Sequence, residues 1–135
     1  MFSGKIAIIG AGWYGCHLGL SFLKRGFDVS IFEKNKEIFS EASLNNQNRL
    51  HKGFHYPRSH RTRLQSKRGF RLFSLRYPEL VRKSDLTLYA ISEKYSLMDF
   101  ETYKVIMSGS ELIYEDISDC VPLLIDNVQG VIDTD

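Results

Sequence analysis

The sequence predicts an α/β fold in two parts, a βαβ unit at the start of the chain and a part of mixed α+β pattern after it. Three observations predict it. Residues 5–9, Lys-Ile-Ala-Ile-Ile, are a short and nearly continuous apolar run, the pattern of a parallel strand buried on both faces. Glycines break that run, and a helical pattern and a second β-rich run follow within 25 residues or so. The character of the chain then changes near Lys83, beyond which short β-branched runs alternate with turn residues.

Each element has its own justification. After Gly15 the spacing turns helical, with Leu18 and Phe22 four apart and Gly15, Gly19 and Leu23 on a second row, so a helix is expected over residues 14–25. Lys24 and Arg25 suit its last turn, and Gly26 supplies the stop. Residues 27–32 alternate and are β-rich, a strand that ends at Glu33. Residues 35–43 read as a short helix or turn, and 45–58, polar with Gly53 and Pro57, as a loop. Residues 59–77 form a basic helix stopped by Pro78, with Leu64, Phe70, Phe73 and Tyr77 as its inner stripe. Residues 86–91 are a strand candidate. Ser96 to Asp99 resembles a capping box opening a helix over 97–107, whose apolar members are Leu97, Phe100, Tyr103 and Ile106 and whose stop is Gly109. Residues 111–117 and 128–132 are further strand candidates. The chain stops at Asp135, inside what reads as an element.

Composition excludes several classes. At 135 residues, with 43% hydrophobic and 25% charged residues, the chain is of ordinary globular type, without repeats or low-complexity segments. Its net charge of +2 does not by itself imply a polyanionic partner. Nine of the eighteen Lys and Arg residues lie between Arg49 and Arg76, which reads first as a basic helix surface and second as a patch for a phosphate-bearing ligand, with nucleic acid a minor alternative. Cys16 and Cys120 stand apart, without zinc or redox spacing, and suit a reducing compartment. No metal site is expected: His55 and His60 have no ligand-like partners in the sequence. The early apolar run is too short for a signal peptide or a membrane span, so the cytoplasm is the expected location.

The chemistry is carried by Gly10-Ala11-Gly12-Trp13-Tyr14-Gly15, a G-x-G-x-x-G motif with a strand before it, a helix after it, a second strand, and an acid at that strand's end. This is the fingerprint of a Rossmann-like FAD- or NAD(P)-binding βαβ unit. Gly10 permits the tight turn, Gly12 lets a pyrophosphate approach the backbone and the helix N-terminus, and Gly15 lets the helix pack close. Glu33, 23 residues after Gly10, suits a ribose 2′,3′-hydroxyl pair and would repel a 2′-phosphate. Trp13 and Tyr14 occupy the free positions of the loop and read as cofactor-covering or packing residues. FAD and NAD share this fingerprint, so it does not choose between them.

The segment after Glu33 does. Residues 46–56, Asn-Gln-Asn-Arg-Leu-His-Lys-Gly-Phe-His-Tyr, resemble the second flavin-contacting segment of the D-amino-acid oxidase-like FAD-dependent oxidoreductases. In the 2-hydroxyglutarate oxidase branch that segment reads N-S-G-x-I-H-x-G-I-Y-Y. Asn46, His51, Gly53 and Tyr56 match without a gap, whereas Gln47, Asn48, Arg49 and His55 depart from it and leave the substrate open. The Glu33-Lys34 pair is also usual in this family.

The resemblance implies FAD as cofactor, residues 1–83 as the N-terminal part of an FAD-binding domain and 84–135 as the start of an antiparallel substrate domain. It implies oxidation of a small amino acid, hydroxy acid or related amine or sugar derivative by hydride transfer to the flavin N5, the protein supplying orientation and exclusion of water. His51 and Tyr56 are the candidate catalytic residues, His51 against the flavin ring and Tyr56 toward a substrate carboxylate, each with packing or loop-holding as the alternative. The implied cofactor-binding set is Gly10, Ala11, Gly12, Trp13, Tyr14, Gly15, Glu33, Lys34, Asn46, Asn48, Arg49, Leu50 and His51. Family members carry a further glycine-rich segment near their C-terminus that this sequence lacks. The chain is therefore expected to be incomplete, inactive alone, weak in FAD binding and self-associating through open edges, with a small-molecule substrate and neither nucleic acid nor membrane as partner. Two other readings stay open: a non-catalytic nucleotide-binding remnant or subunit acting through assembly, and an NAD-binding module, which would leave the 46–56 match unexplained.

Overall fold

A computed structural model describes residues 4–120 and 127–134; Asp135, where the interrupted element was expected, lies outside them. The chain divides into two units, Met1–Arg49 and Leu50–Asp135, and carries both a parallel and an antiparallel sheet.

In the first unit, strand β1 (Lys5–Ile9) and strand β2 (Asp28–Phe32) pair in parallel, from Lys5 opposite Asp28 to Ile9 opposite Phe32, and helix α1 (Trp13–Leu23) connects them. Gly10 leaves β1 at φ +99°, a conformation that a Cβ disfavours, and its N–H donates to the Phe32 carbonyl at 2.7 Å. Gly15 and Gly19 are dictated by packing. A Cβ on Gly15 would lie 1.9 Å from the Gly10 carbonyl oxygen, and one on Gly19 would lie 2.8 Å from Ile31 Cδ1. At the other end of α1, the Gly26 N–H donates to the Leu23 carbonyl, and Phe27 sets its ring edge-on to Phe22 at 5.7 Å. The expectation that β1 is buried on both faces is corrected: Ile6 and Ile8 are half-buried but Ile9 is 83% exposed, because α1 covers one face only. Residues 35–43 form turns, with no helix.

In the second unit, helix α2 (His60–Arg76) is followed by a short turn of helix at Pro78–Leu80, strand β3 (Leu88–Ser92), helix α3 (Phe100–Ser108), strand β4 (Glu115–Asp116) and strand β5 (Val128–Asp133). The sheet is antiparallel with order β3-β5-β4. Phe54, Phe100, Tyr103, Met107, Leu112 and Ile132 make one buried cluster. Gly130 in β5 is the seat of the Phe100 ring, since a Cβ there would fall 2.2 Å from Phe100 Cδ1.

Three sequence expectations in this unit are corrected. Helix α3 begins three residues later than Ser96 implied: Asp99 is its cap, its carboxylate accepting the Thr102 N–H at 2.7 Å, while the Ser96 hydroxyl closes a turn with Met98. Leu97 is accordingly outside the helix and 95% exposed. The strand expected over 111–117 shrinks to Glu115–Asp116, because Glu111 sits at φ +53° and the Leu112 N–H returns to the Met107 carbonyl, prolonging the helix end. The inner stripe of α2 holds for Phe70, Phe73 and Tyr77, which are half-buried, but Leu64 is exposed and the buried residue of that helix is Arg63. Among the described residues no helix is long and apolar enough to cross a membrane.

Candidate functional site

The glycine turn of the first unit is held from below by one carboxylate. The two oxygens of Glu33, at the end of β2, accept the N–H of Ala11 at 2.7 Å and of Asn35 at 2.9 Å. These bonds, the Ala11 one first, keep its carboxyl below the usual range, so Glu33 is ionised at neutral pH. Ala11 is buried, and its carbonyl accepts the Phe39 N–H at 3.0 Å, which draws the 35–43 turns back onto the loop. At the start of α1 the Trp13 N–H donates to the Ser43 hydroxyl at 2.9 Å. A Cβ on Gly12 would stand 3.2 Å from that same oxygen. The Trp13 ring leans on Phe39 with centroids 6.1 Å apart, whereas Tyr14 is 83% exposed.

The remaining candidates of this unit serve the loop itself. Lys34 pairs with Glu41 at 2.8 Å, which raises the ammonium and lowers the carboxyl. Asn46 is a loop-builder: its amide donates to the carbonyls of Ala42 and Ser43, and its oxygen accepts the Asn48 N–H at 2.6 Å while Asn48 adopts φ +47°. Arg49 is exposed at the unit's boundary.

Leu50, His51 and Tyr56 belong to the second unit, with Leu50 and His51 half-buried. His51 lies in an aromatic group, 4.7 Å from the His55 ring and 5.7 Å from the Tyr56 ring. His55 in turn meets Tyr89 of β3 edge-on at 4.9 Å and shares a 3.1 Å hydrogen bond with its hydroxyl. The backbone beneath is clamped twice. The buried Tyr103 hydroxyl donates to the Phe54 carbonyl at 3.1 Å, and burial raises that phenol. Arg63 donates from Nη1 to the carbonyls of Tyr56 at 2.9 Å and Pro57 at 2.7 Å. The structure therefore groups the glycine turn with Glu33, and His51 with Tyr56, within their respective units. Sequence reasoning missed Ser43, Arg63, Tyr89 and Tyr103. Arg63 was hidden among eight other cations between residues 49 and 76, and a hydroxyl such as that of Ser43 carries no distinctive spacing. Among the described residues no group of three or more His, Cys, Asp and Glu is placed to hold a metal ion.

Comparison with known proteins bears on the whole arrangement. The profile of the family described as FAD dependent oxidoreductase matches residues 5–118. The FAD-dependent monooxygenase FPY4 of Fusarium mangiferae is 47% identical over 128 residues, which cover 94% of this chain and 34% of that protein. The FAD-dependent monooxygenase kojA of Aspergillus flavus is 44% identical over 93 residues, 69% of this chain and 22% of the relative. The chain thus spans about a third or less of the length of these relatives. No solved structure gives a significant match.

Proposed function

This chain belongs to the FAD dependent oxidoreductase family, whose cofactor is FAD, and on that premise we propose that it forms the adenine-nucleotide end of a flavin site and the first part of the substrate domain of a flavin-dependent oxidoreductase. The observation that carries the reading is the Glu33–Ala11 bond across the Gly10–Gly15 turn. In a Rossmann-like unit that turn receives a pyrophosphate and the acid receives the adenosine ribose. The residues present fit such a group. Gly12 has no side chain to block the backbone, and α1, 11 residues long, brings its positive dipole end to the turn, its first N–H, that of Trp13, resting on the Ser43 hydroxyl. Each Glu33 oxygen uses one lone pair on a backbone N–H and keeps another for a hydroxyl.

When bound, the flavin would supply the redox chemistry, that of a hydride acceptor for a C–H bond beside an amine or hydroxyl of a small acid, amine or sugar derivative. The chain's own residues bind and orient. Glu33, Gly12 and the α1 terminus would hold the nucleotide, Asn46 and Asn48 would shape the segment leading toward the ring, and His51 and Tyr56 are the side chains that would meet flavin and substrate. In this proposal residues 1–83 are the N-terminal part of the FAD domain and 84–135 the start of the substrate domain. The free thiols of Cys16 and Cys120 suit a cytoplasmic protein.

A second reading has a specific support, the monooxygenase names of FPY4 and kojA: that one atom of dioxygen enters the product rather than leaving as peroxide. Calorimetric titration of the chain with FAD and with NAD tests the first statement, with FAD expected to bind more tightly; tighter NAD binding overturns it. Anaerobic bleaching of the full-length flavoprotein by a panel of amino and hydroxy acids tests the chemistry. Turnover under isotopically labelled dioxygen then decides between the two readings by the mass of the product.

A further inference from the structure

We propose that Arg63 is the positioning residue of the 51–57 segment, setting His51, His55 and Tyr56 in place before any ligand arrives; its functional half rests on the reading that this segment faces the flavin. Arg63 is 6% exposed, and no carboxylate is among its hydrogen-bond partners in the described residues, which are the Ser110 hydroxyl at 2.7 Å from Nε, the Tyr56 and Pro57 carbonyls on Nη1, and His60 Nδ1 at 3.4 Å from Nη2. A guanidinium stays charged, and burying it without a carboxylate partner is costly; an apolar side chain of similar volume is often the more stable occupant. What an apolar residue cannot do is reach three oxygens on two separate stretches of chain with one rigid fork.

The contacts are concentrated on the loop. Successive carbonyls, of Tyr56 and Pro57, meet one nitrogen, so two consecutive peptide planes are held in their mutual orientation. The segment is also pressed against the backbone of Arg63: Gly53 stands at φ +116°, and a Cβ there would lie 3.0 Å from the Arg63 carbonyl oxygen and 3.1 Å from its Cα. Tyr56 donates its N–H to the Gly53 carbonyl, and its own carbonyl, already on Arg63, also accepts the Ser59 N–H that opens α2. His51, His55 and Tyr56 lie on or directly beside this turn, and Ser110, the far anchor, ties it to the end of α3. Arg63 thus acts on the rings through the backbone they hang from, without being a catalytic residue itself.

Amide hydrogen exchange and FAD titration of Arg63→Ala and Arg63→Lys test this. In Arg63→Ala the Tyr56 and Ser59 amides should lose about ten-fold or more of their protection while the β3–β5 amides keep theirs, and FAD should bind about ten-fold more weakly, the scale of losing charge-assisted hydrogen bonds. Ethylguanidinium in the medium should restore both. Arg63→Lys, a point charge without the fork, should fall between, which keeps the test open if the alanine variant folds poorly. Protection retained at Tyr56 and Ser59 overturns the proposal. Equal loss of protection throughout the second unit also overturns it, making Arg63 a general core residue. Loop protection lost and rescued with FAD affinity unchanged separates the two claims: it removes the segment from the flavin site, and with it the functional half of the proposal.

Discussion

In the first unit a carboxylate holds the candidate loop by its N–H groups; in the second a guanidinium holds it by its carbonyls. The surroundings differ as much as the signs. Ala11 and Gly19 are the buried residues described in the first unit, so its geometry depends on what glycine lacks and on one half-exposed anion. The second unit has a closed cluster around Tyr103, Met107 and Ile132, and its loop is set by two long side chains, Tyr103 from that cluster and Arg63 from α2. A loop built by omission leaves open backbone, which suits a phosphate group that must come close. A loop built by clamping presents side chains at fixed positions, which suits recognition of a ring or a small substrate.

Glycine replacements probe the contrast most severely. Gly15→Ala should have the largest effect, because its Cβ would fall 1.9 Å from a backbone oxygen that cannot move without opening the turn. A loss of about 3 kcal/mol or more, at the upper end for overpacking, is expected in denaturant unfolding, together with loss of FAD binding. A stable, FAD-binding variant would show that α1 can shift away from β1. Gly53→Ala should cost about 2 kcal/mol, since it combines a left-handed backbone with a tight but less severe contact to Arg63. If it costs as much as Gly15→Ala, the clamped loop is no more forgiving than the open one.

Smaller effects are expected from the Tyr103 hydroxyl and the Glu33 carboxylate, which each hold one of the loops. Tyr103→Phe removes the hydroxyl that meets the Phe54 carbonyl and should cost about 1 kcal/mol in thermal unfolding. An unchanged melting temperature would mean that the Phe54 carbonyl finds another donor. The smallest expected effect is that of acid. The Glu33 carboxyl lies below its unfolded value, so its contribution is complete above about pH 5 and is lost as pH falls through the folded value. Nucleotide affinity should therefore weaken on acidification in the wild type and depend less on pH in Glu33→Gln. Equal pH dependence in both would place the titrating group elsewhere.

Much of the first unit was legible because each of its constraints is local. A strand, three glycines, a helix and an acid at the next strand's end specify one turn, and Glu33 and Gly15 fall where the motif put them. Chemical identity also travelled well: the 46–56 segment pointed to FAD, in agreement with the family to which the chain belongs. Local reading failed where two cues competed. Ser96 and Asp99 are both good caps three residues apart, and the choice fell to Asp99, whose helix begins with Phe100 seated on Gly130, some 30 residues along the chain.

By itself, then, the sequence determined the glycine turn, the acid at the end of the next strand and, through the family resemblance, the cofactor class. Those features arise from short-range sterics, from hydrogen bonds close to the turn, and from residue types that one chemistry requires. Only the tertiary structure decided that Arg63 is buried rather than part of the basic face of α2, and that Tyr89 and Tyr103 reach the 54–55 backbone and ring from 34 and 49 residues away. A cation's helical neighbours look the same whether it faces water or a pair of carbonyls. The difference lies in Ser110, Tyr56 and Pro57, which reach Arg63 only after the chain has folded around it.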